Sequence, residues 1–282
     1  PVIATGSDKG CETIGMGVTD TNHASLSFGT TATIQTTSSK YFEPLSFMPA
    51  YPAPIPGYYN PEVEIFRGYW MITWFKEEFG YQEILEAEKR GIAPEIILNK
   101  YLEDVPAGSS GLIVQPYWSP GLKMPSAKGT IIGFGDIHKK SHLYKAVIEG
   151  LAFALLEGMH KVEKSSGRKI NKVAVSGGAS QSEQICQITS DIFNKPLVRG
   201  KTFETSGLGS AIVTSVGLNI HKDMDEAINK MVHYTTEYLP NKENADLYKK
   251  LYEKVYCRIY KKVNDLNKEI RDITGYPEKV TH

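Results

Sequence analysis

The sequence predicts an α/β fold, a mixed sheet flanked by helices. Three observations carry that expectation. Between Gly111 and Val216, short apolar runs of strand length alternate with longer amphipathic runs of helix length. Two of the strand-like runs end in glycine turns, Gly29-Thr30-Thr31 and Gly177-Gly178-Ala179. The 282 residues are 41% hydrophobic and 23% charged, which is enough apolar material for a real core. At ~100–200 residues per domain, this length fits one large domain or two small ones.

In chain order, Pro1–Thr5 reads as a short buried strand, and Ser7 or Asp8 as the cap of a helix over Lys9–Ile14. Ala24–Phe28 and Ala32–Thr37 are two strands joined at Gly29-Thr30-Thr31. Tyr41–Tyr59, rich in Pro, Tyr and Gly, is loop. Glu62–Gly80 and Tyr81–Arg90 are helical, broken at Gly80, and Pro94–Leu102 is a further helix. Gly111–Pro116 and Gly129–Phe134 are strands, and Ser141–Lys164 is a long amphipathic helix. Then come a strand over Lys172–Val175, a helix from about Ser182 to Phe193, a short strand at Leu197-Val198, and helices over Gly207–Val216 and Met224–Val232. In the last helix, Asn244–Thr274, an aliphatic stripe (Leu247, Leu251, Val255, Ile259, Val263, Leu266, Ile270) runs beside a tyrosine stripe (Tyr248, Tyr252, Tyr256, Tyr260). This wide face closes the domain's own core, with partner binding as the alternative.

Lys+Arg and Asp+Glu both number 32, so the chain has no basic excess. That argues against nucleic acid or an anionic membrane surface as the main partner. No apolar run approaches the ~20 residues of a membrane helix. The three cysteines are far apart and odd in number, as for reduced thiols in a cytoplasmic protein. The chain begins on proline in an apparent strand, which reads as a fragment of a longer protein.

Several segments could carry chemistry. In "VAVSGGASQSEQICQITSDIF", Val173–Phe193, a strand ends in Gly177-Gly178-Ala179 and a helix follows. Glycines let a ligand approach the backbone, and the helix start offers unpaired N–H groups to polar or anionic atoms. The pattern is neither a dinucleotide GxGxxG nor a Walker A loop; a plain strand-to-helix turn is the alternative. In "SFGTTATI", Ser27–Ile34, the hairpin tip presents hydroxyls and amides that can hold phosphate oxygens, or it is an ordinary turn. Asp8 follows an apolar run in a Gly/Ser turn, as either a helix cap or a general base.

Taken together, these pieces resemble the C-terminal domain of the FGGY carbohydrate kinases. A fourth segment, "GTIIGFGDIHKKSHLYKAVIEGLAFALLEG", Gly129–Gly158, is similar to the family's second signature through Gly129, Ile131, Gly133, His142, Leu143, Ala146, Val147, Ile148 and Glu149. Phe134 stands where the family has a smaller aliphatic. The resemblance runs from Pro1 to about Val232, leaving 233–282 as a C-terminal helical extension of a single domain spanning 1–282.

The resemblance implies an actin-like, ribonuclease-H-like fold, and half of a two-domain kinase whose N-terminal domain is absent. It implies ATP-dependent phosphorylation of a sugar or polyol hydroxyl, with Asp8 as catalytic base. Gly29, Thr30 and Thr31 would face the ATP phosphates. Gly177, Gly178, Ala179 and Ser182 would meet the adenosine, with Gly68, Tyr69 and Thr73 of "RGYWMITWFKEE" bordering the nucleotide. Mg²⁺ would travel with ATP and take its ligands largely from the other domain. Lys9 stands where family members carry a polyol-binding amide; it reaches a charged substrate group, or it points outward. His138 and His142 are loop and cap residues rather than metal ligands. Cys11 is a small buried residue. A homodimer is possible, and the isolated chain is expected to bind ATP weakly without turnover. The competing functions are an actin-like ATPase and a nucleotide-binding regulatory module.

Overall fold

The computed structural model describes residues 1–119 and 124–276. In chain order the elements are α1 (Asp8–Gly15), β1 (His23–Phe28), β2 (Ala32–Gln35), β3 (Tyr51–Pro52), β4 (Tyr59–Asn60), β5 (Glu62–Ile65), α2 (Trp70–Phe79), α3 (Tyr81–Arg90), α4 (Pro94–Leu98) and α5 (Tyr101–Asp104). They continue with β6 (Ile113–Gln115), β7 (Thr130–Ile132), α6 (Lys140–Ser166), β8 (Lys172–Ser176), α7 (Glu183–Phe193), β9 (Leu197–Gly200), α8 (Thr205–Gly217), α9 (Met224–Met231), β10 (Tyr234–Tyr238), α10 (Lys242–Leu251) and α11 (Cys257–Thr274).

Six strands form one sheet in the order β10-β9-β8-β1-β2-β5. β1, β8 and β9 run parallel, while β2, β5 and β10 are antiparallel to their neighbours. The expected mixed sheet is therefore present. Its two faces differ because the side chains alternate. Ala24, Leu26 and Phe28 of β1, Ala32 and Ile34 of β2, Val63 and Ile65 of β5, and Val173 and Val175 of β8 share one apolar core with α6 and α7. The opposite residues of β1, β2 and β5 are Ser25, Ser27, Thr33, Gln35, Glu62 and Glu64, on the side that carries α1.

α1 packs against α8 backbone to backbone. A Cβ at Gly15 would lie 2.0 Å from the Thr205 carbonyl oxygen, and one at Gly209 would lie 1.9 Å from that of Cys11. Only glycine permits this approach. It fixes the helix that begins with Asp8.

Five expectations need correction. Among the described residues Pro1–Thr5 pairs with no strand, and Val2 is 99% exposed; an apolar run becomes a strand only where a ladder is offered. Glu62–Ile65 is strand, not helix: Val63 and Ile65 face the core and the two glutamates face away, a period of two that the helix propensity of Glu obscures. β10 extends the sheet where no strand was expected, so the segment after 232 is not helical throughout. The final residues 277–282 of that segment lie outside the described residues. α6 is buried on all sides from Leu143 to Leu156 and is a central helix rather than an amphipathic one.

The fifth correction concerns the last helices. Tyr248, Tyr252 and Tyr256 are buried against Phe153, whereas Leu266 and Ile270 of the aliphatic stripe are exposed. A spacing of four drifts by ~40° per step on a 3.6-residue helix. A π-helical turn at Tyr252–Tyr256, with its i→i+5 bonds and more residues per turn, takes up that drift and keeps the tyrosines on one face.

Candidate active site

β1 and β8 are parallel neighbours, so their C-terminal ends lie side by side, with Ser27 paired to Ser176. The ends of adjacent parallel strands are where open α/β sheets bind ligands. After β1 the chain turns through Gly29, Thr30 and Thr31 into β2. After β8 it turns at Gly177, whose φ is 86° and whose added Cβ would sit 2.8 Å from the Phe28 carbonyl carbon. Left-handed backbone and close approach together demand glycine there. A single 3₁₀ turn, Gly178–Gln181, leads into α7. Ser182 caps that helix, its Oγ accepting from the Ile185 amide at 3.3 Å.

Two further walls complete a cavity of about 630 Å³. Tyr69, Trp70, Ile72 and Thr73 come from the turn into α2 and its first residues, with the Tyr69 ring 4.4 Å from that of Phe28. Glu95, Ile96 and Asn99 come from α4 and its end. The cavity thus brings together seven of the expected residues: Gly29, Thr30, Tyr69, Thr73, Gly178, Ala179 and Ser182. Thr31 stands in the same turn but outside the lining. Gly68 sits in the turn before α2, its backbone against Ala32 at the start of β2.

The α4 wall was not expected. α4 has five residues and no motif, and its position follows from tertiary packing and a 2.7 Å ion pair between Glu95 and Lys76. The one local signal is Ile96, a large apolar side chain left 51% exposed at the cavity. Trp70, Gln181 and Ile185 also line the cavity beside expected residues.

Asp8 and Lys9 stand outside this cavity. Asp8 is exposed at the first position of α1, and its Oδ1 accepts from the Lys9 amide at 2.8 Å. The N-cap is Ser7, whose Oγ accepts from the Gly10 amide at 3.0 Å, so Asp8 commits only Oδ1 to the helix start. Lys9 turns toward the sheet: its ammonium donates to Glu12 Oε2 at 2.9 Å and to Ser27 Oγ at 3.2 Å. Burial pushes Glu62 up to about 7, with Gln35 and Lys9 opposing, and burial also raises Glu64.

His138 and His142 serve as turn and cap acceptors, taking the Gly135 amide at 2.8 Å and the Lys139 amide at 3.2 Å. Among the described residues, no group of three or more His, Cys, Asp or Glu side chains could hold a metal ion. No helix there is long and apolar enough to cross a membrane. All three cysteines are free, with Cys11 buried.

Comparison with known proteins places this arrangement. The model of the "FGGY family of carbohydrate kinases, C-terminal domain" matches residues 24–218. A xylulose kinase of Staphylococcus epidermidis is 30% identical over 281 residues, 97% of this chain and 53% of the relative. An uncharacterised sugar kinase of Escherichia coli is 29% identical over 255 residues, 88% of this chain and 51% of the relative. The crystal structure of gluconate kinase from Lactobacillus acidophilus superposes with a TM-score of 0.77 at 26% identity, covering 90% of this chain and 50% of that one. The chain spans about half the length of the relatives it matches. The fold is the actin-like, ribonuclease-H-like α/β fold of these structures.

Proposed function

The chain belongs to the FGGY family of carbohydrate kinases, and on that premise we propose that it forms one half of an ATP-dependent kinase acting on a sugar or polyol hydroxyl. In this reading it supplies the catalytic base and the nucleotide side of the cleft. The observation that carries the reading is the cavity itself. Two glycine turns distant in sequence, at Gly29 and Gly178, meet in one space whose volume lies within the ~300–1,000 Å³ of small-molecule sites. A Cβ added at Gly178 would meet nothing within 4 Å, so the backbone there is open to a ligand lying flat against it.

Bound ATP would supply the phosphoryl group, and the Mg²⁺ travelling with it would neutralise developing charge, with its ligands largely from the other half of the cleft. The residues of this chain then have separate tasks. The Gly29 and Thr30 amides and the Thr30 hydroxyl hold phosphate oxygens, with Thr31 in the same turn. Gly177, Gly178, Ala179 and Ser182 set the adenosine against the start of α7. Gly68, Tyr69 and Thr73 border its other side. Asp8, exposed at the start of α1, orients the attacking hydroxyl and accepts its proton. The relatives named for xylulose and gluconate put a ketose or a sugar acid among the candidate substrates. Lys9 remains a candidate substrate contact, but an acidic substrate group would compete with Glu12 for its ammonium.

The test is ATP consumption by the full-length protein against ketoses, aldoses, polyols and sugar acids. Turnover stimulated by one substrate class supports the kinase. Turnover indifferent to every sugar favours an ATPase, and ATP binding without turnover favours a regulatory module.

A further inference from the structure

The Lys9–Glu12 pair joins three parts of the site that are far apart in sequence. Glu12 is buried, at 7% exposure, one helical turn below Asp8. Its Oε2 accepts from Lys9, and its Oε1 accepts from Ser176 Oγ at 2.6 Å. Lys9 in turn donates to Ser27 Oγ at 3.2 Å. Ser27 and Ser176 are register partners on β1 and β8. Ser27 lies two residues before Gly29, and Ser176 is the residue before Gly177. Both strand ends that carry the cavity turns are therefore tied to the first two turns of α1, whose opening residue is Asp8. A charge this buried costs free energy unless it is paired and hydrogen-bonded. Both conditions are met here, by Lys9 and by Ser176.

We propose that Glu12 is a positioning residue that fixes Asp8 relative to the two nucleotide turns and holds the Lys9 ammonium away from the Asp8 carboxylate. The proposal rests on Asp8 as base and deepens that reading. A small displacement of a reacting group costs rate even when binding is unaffected. Loss of Glu12 therefore acts on turnover. It also frees Lys9, one residue from Asp8, to pair with the base.

The experiment compares Glu12→Gln, Lys9→Met/Glu12→Gln and Asp8→Asn in the full-length protein, with the sugar that stimulates turnover. Glu12→Gln is expected to lower kcat ~10–100-fold, with the KM for ATP and for the sugar within ~3-fold of the parent. The double variant is expected to recover part of that loss, because the freed ammonium is gone. Amide exchange, which needs no substrate, is expected to rise at residues 8–12 and 176–181 in Glu12→Gln and to stay unchanged elsewhere. Parental kcat in Glu12→Gln, a loss confined to KM, a double variant no better than the single one, or unchanged local exchange would each overturn the proposal. Full activity in Asp8→Asn would instead overturn the base assignment, whatever Glu12 does.

Discussion

At the scale of single residues, the site divides by what each position leaves open. Gly178 faces empty space, so alanine there is tolerated by the fold while a long side chain fills part of the cavity. Gly178→Leu is expected to weaken ATP binding at least ~10-fold with little change in Tm, measured by calorimetric titration. Ile96 offers a second check, since its exposed side chain lines the cavity opposite the glycine turns. Ile96→Asp is expected to raise the Kd for ATP several-fold by placing a carboxylate beside an anionic ligand. The glycines and Thr30 that line the cavity were legible in the sequence because they fall in short motifs, and Asp8 stood out in its Gly/Ser turn. Glu12 did not stand out, because its partner Ser176 is 164 residues away and no local pattern links the two.

At the scale of elements, α1 is held by its cap and by its contact with α8. Gly209→Ala would drive a Cβ into the α1 backbone, where no rotamer relieves the clash. Its expected cost is ~2 kcal/mol or more in chemical denaturation, with a fall in kcat because α1 carries Asp8. Ser7→Ala removes the cap and is expected to cost ~1 kcal/mol. Element type was legible wherever the apolar period agreed with propensity, as in β1, β2, β8 and α7. It failed at β5, where glutamates on a strand imitate a helix. It failed again at Pro1–Thr5, where hydrophobicity came without a neighbouring strand. The tyrosine stripe was visible, but its priority over the aliphatic stripe depended on Phe153, which lies on another helix.

At the scale of the whole molecule, the walls of the cavity depend on the packing of the central helix. Glu149 on α6 accepts from the Gly108 amide, the Ser109 hydroxyl and the Tyr248 hydroxyl, joining α6, the loop before β6 and α10. Complete burial pushes Glu149 up to about 7, against the pull of those donors. A raised carboxyl pKa means that the folded state keeps a proton the unfolded state has lost. Stability therefore falls as pH rises from the unfolded value near 4.5 through the folded value near 7. Glu149→Gln is expected to flatten that fall, by ~1 kcal/mol or more in denaturation midpoints taken across this window. The strand and turn motifs made the two glycine walls of the cavity legible in the sequence. The α4 wall was not, because tertiary packing alone brings that helix to the cavity. The central claim is that this half of the cleft separates nucleotide binding from base catalysis: the cavity holds ATP, and Asp8, outside it, acts on the sugar. The most direct measurement is kcat and ATP affinity of Asp8→Asn in the full-length protein. A loss of ~10²–10⁴-fold in kcat with ATP affinity unchanged is the predicted result. Undiminished turnover, or a loss traced to failed ATP binding, would contradict it.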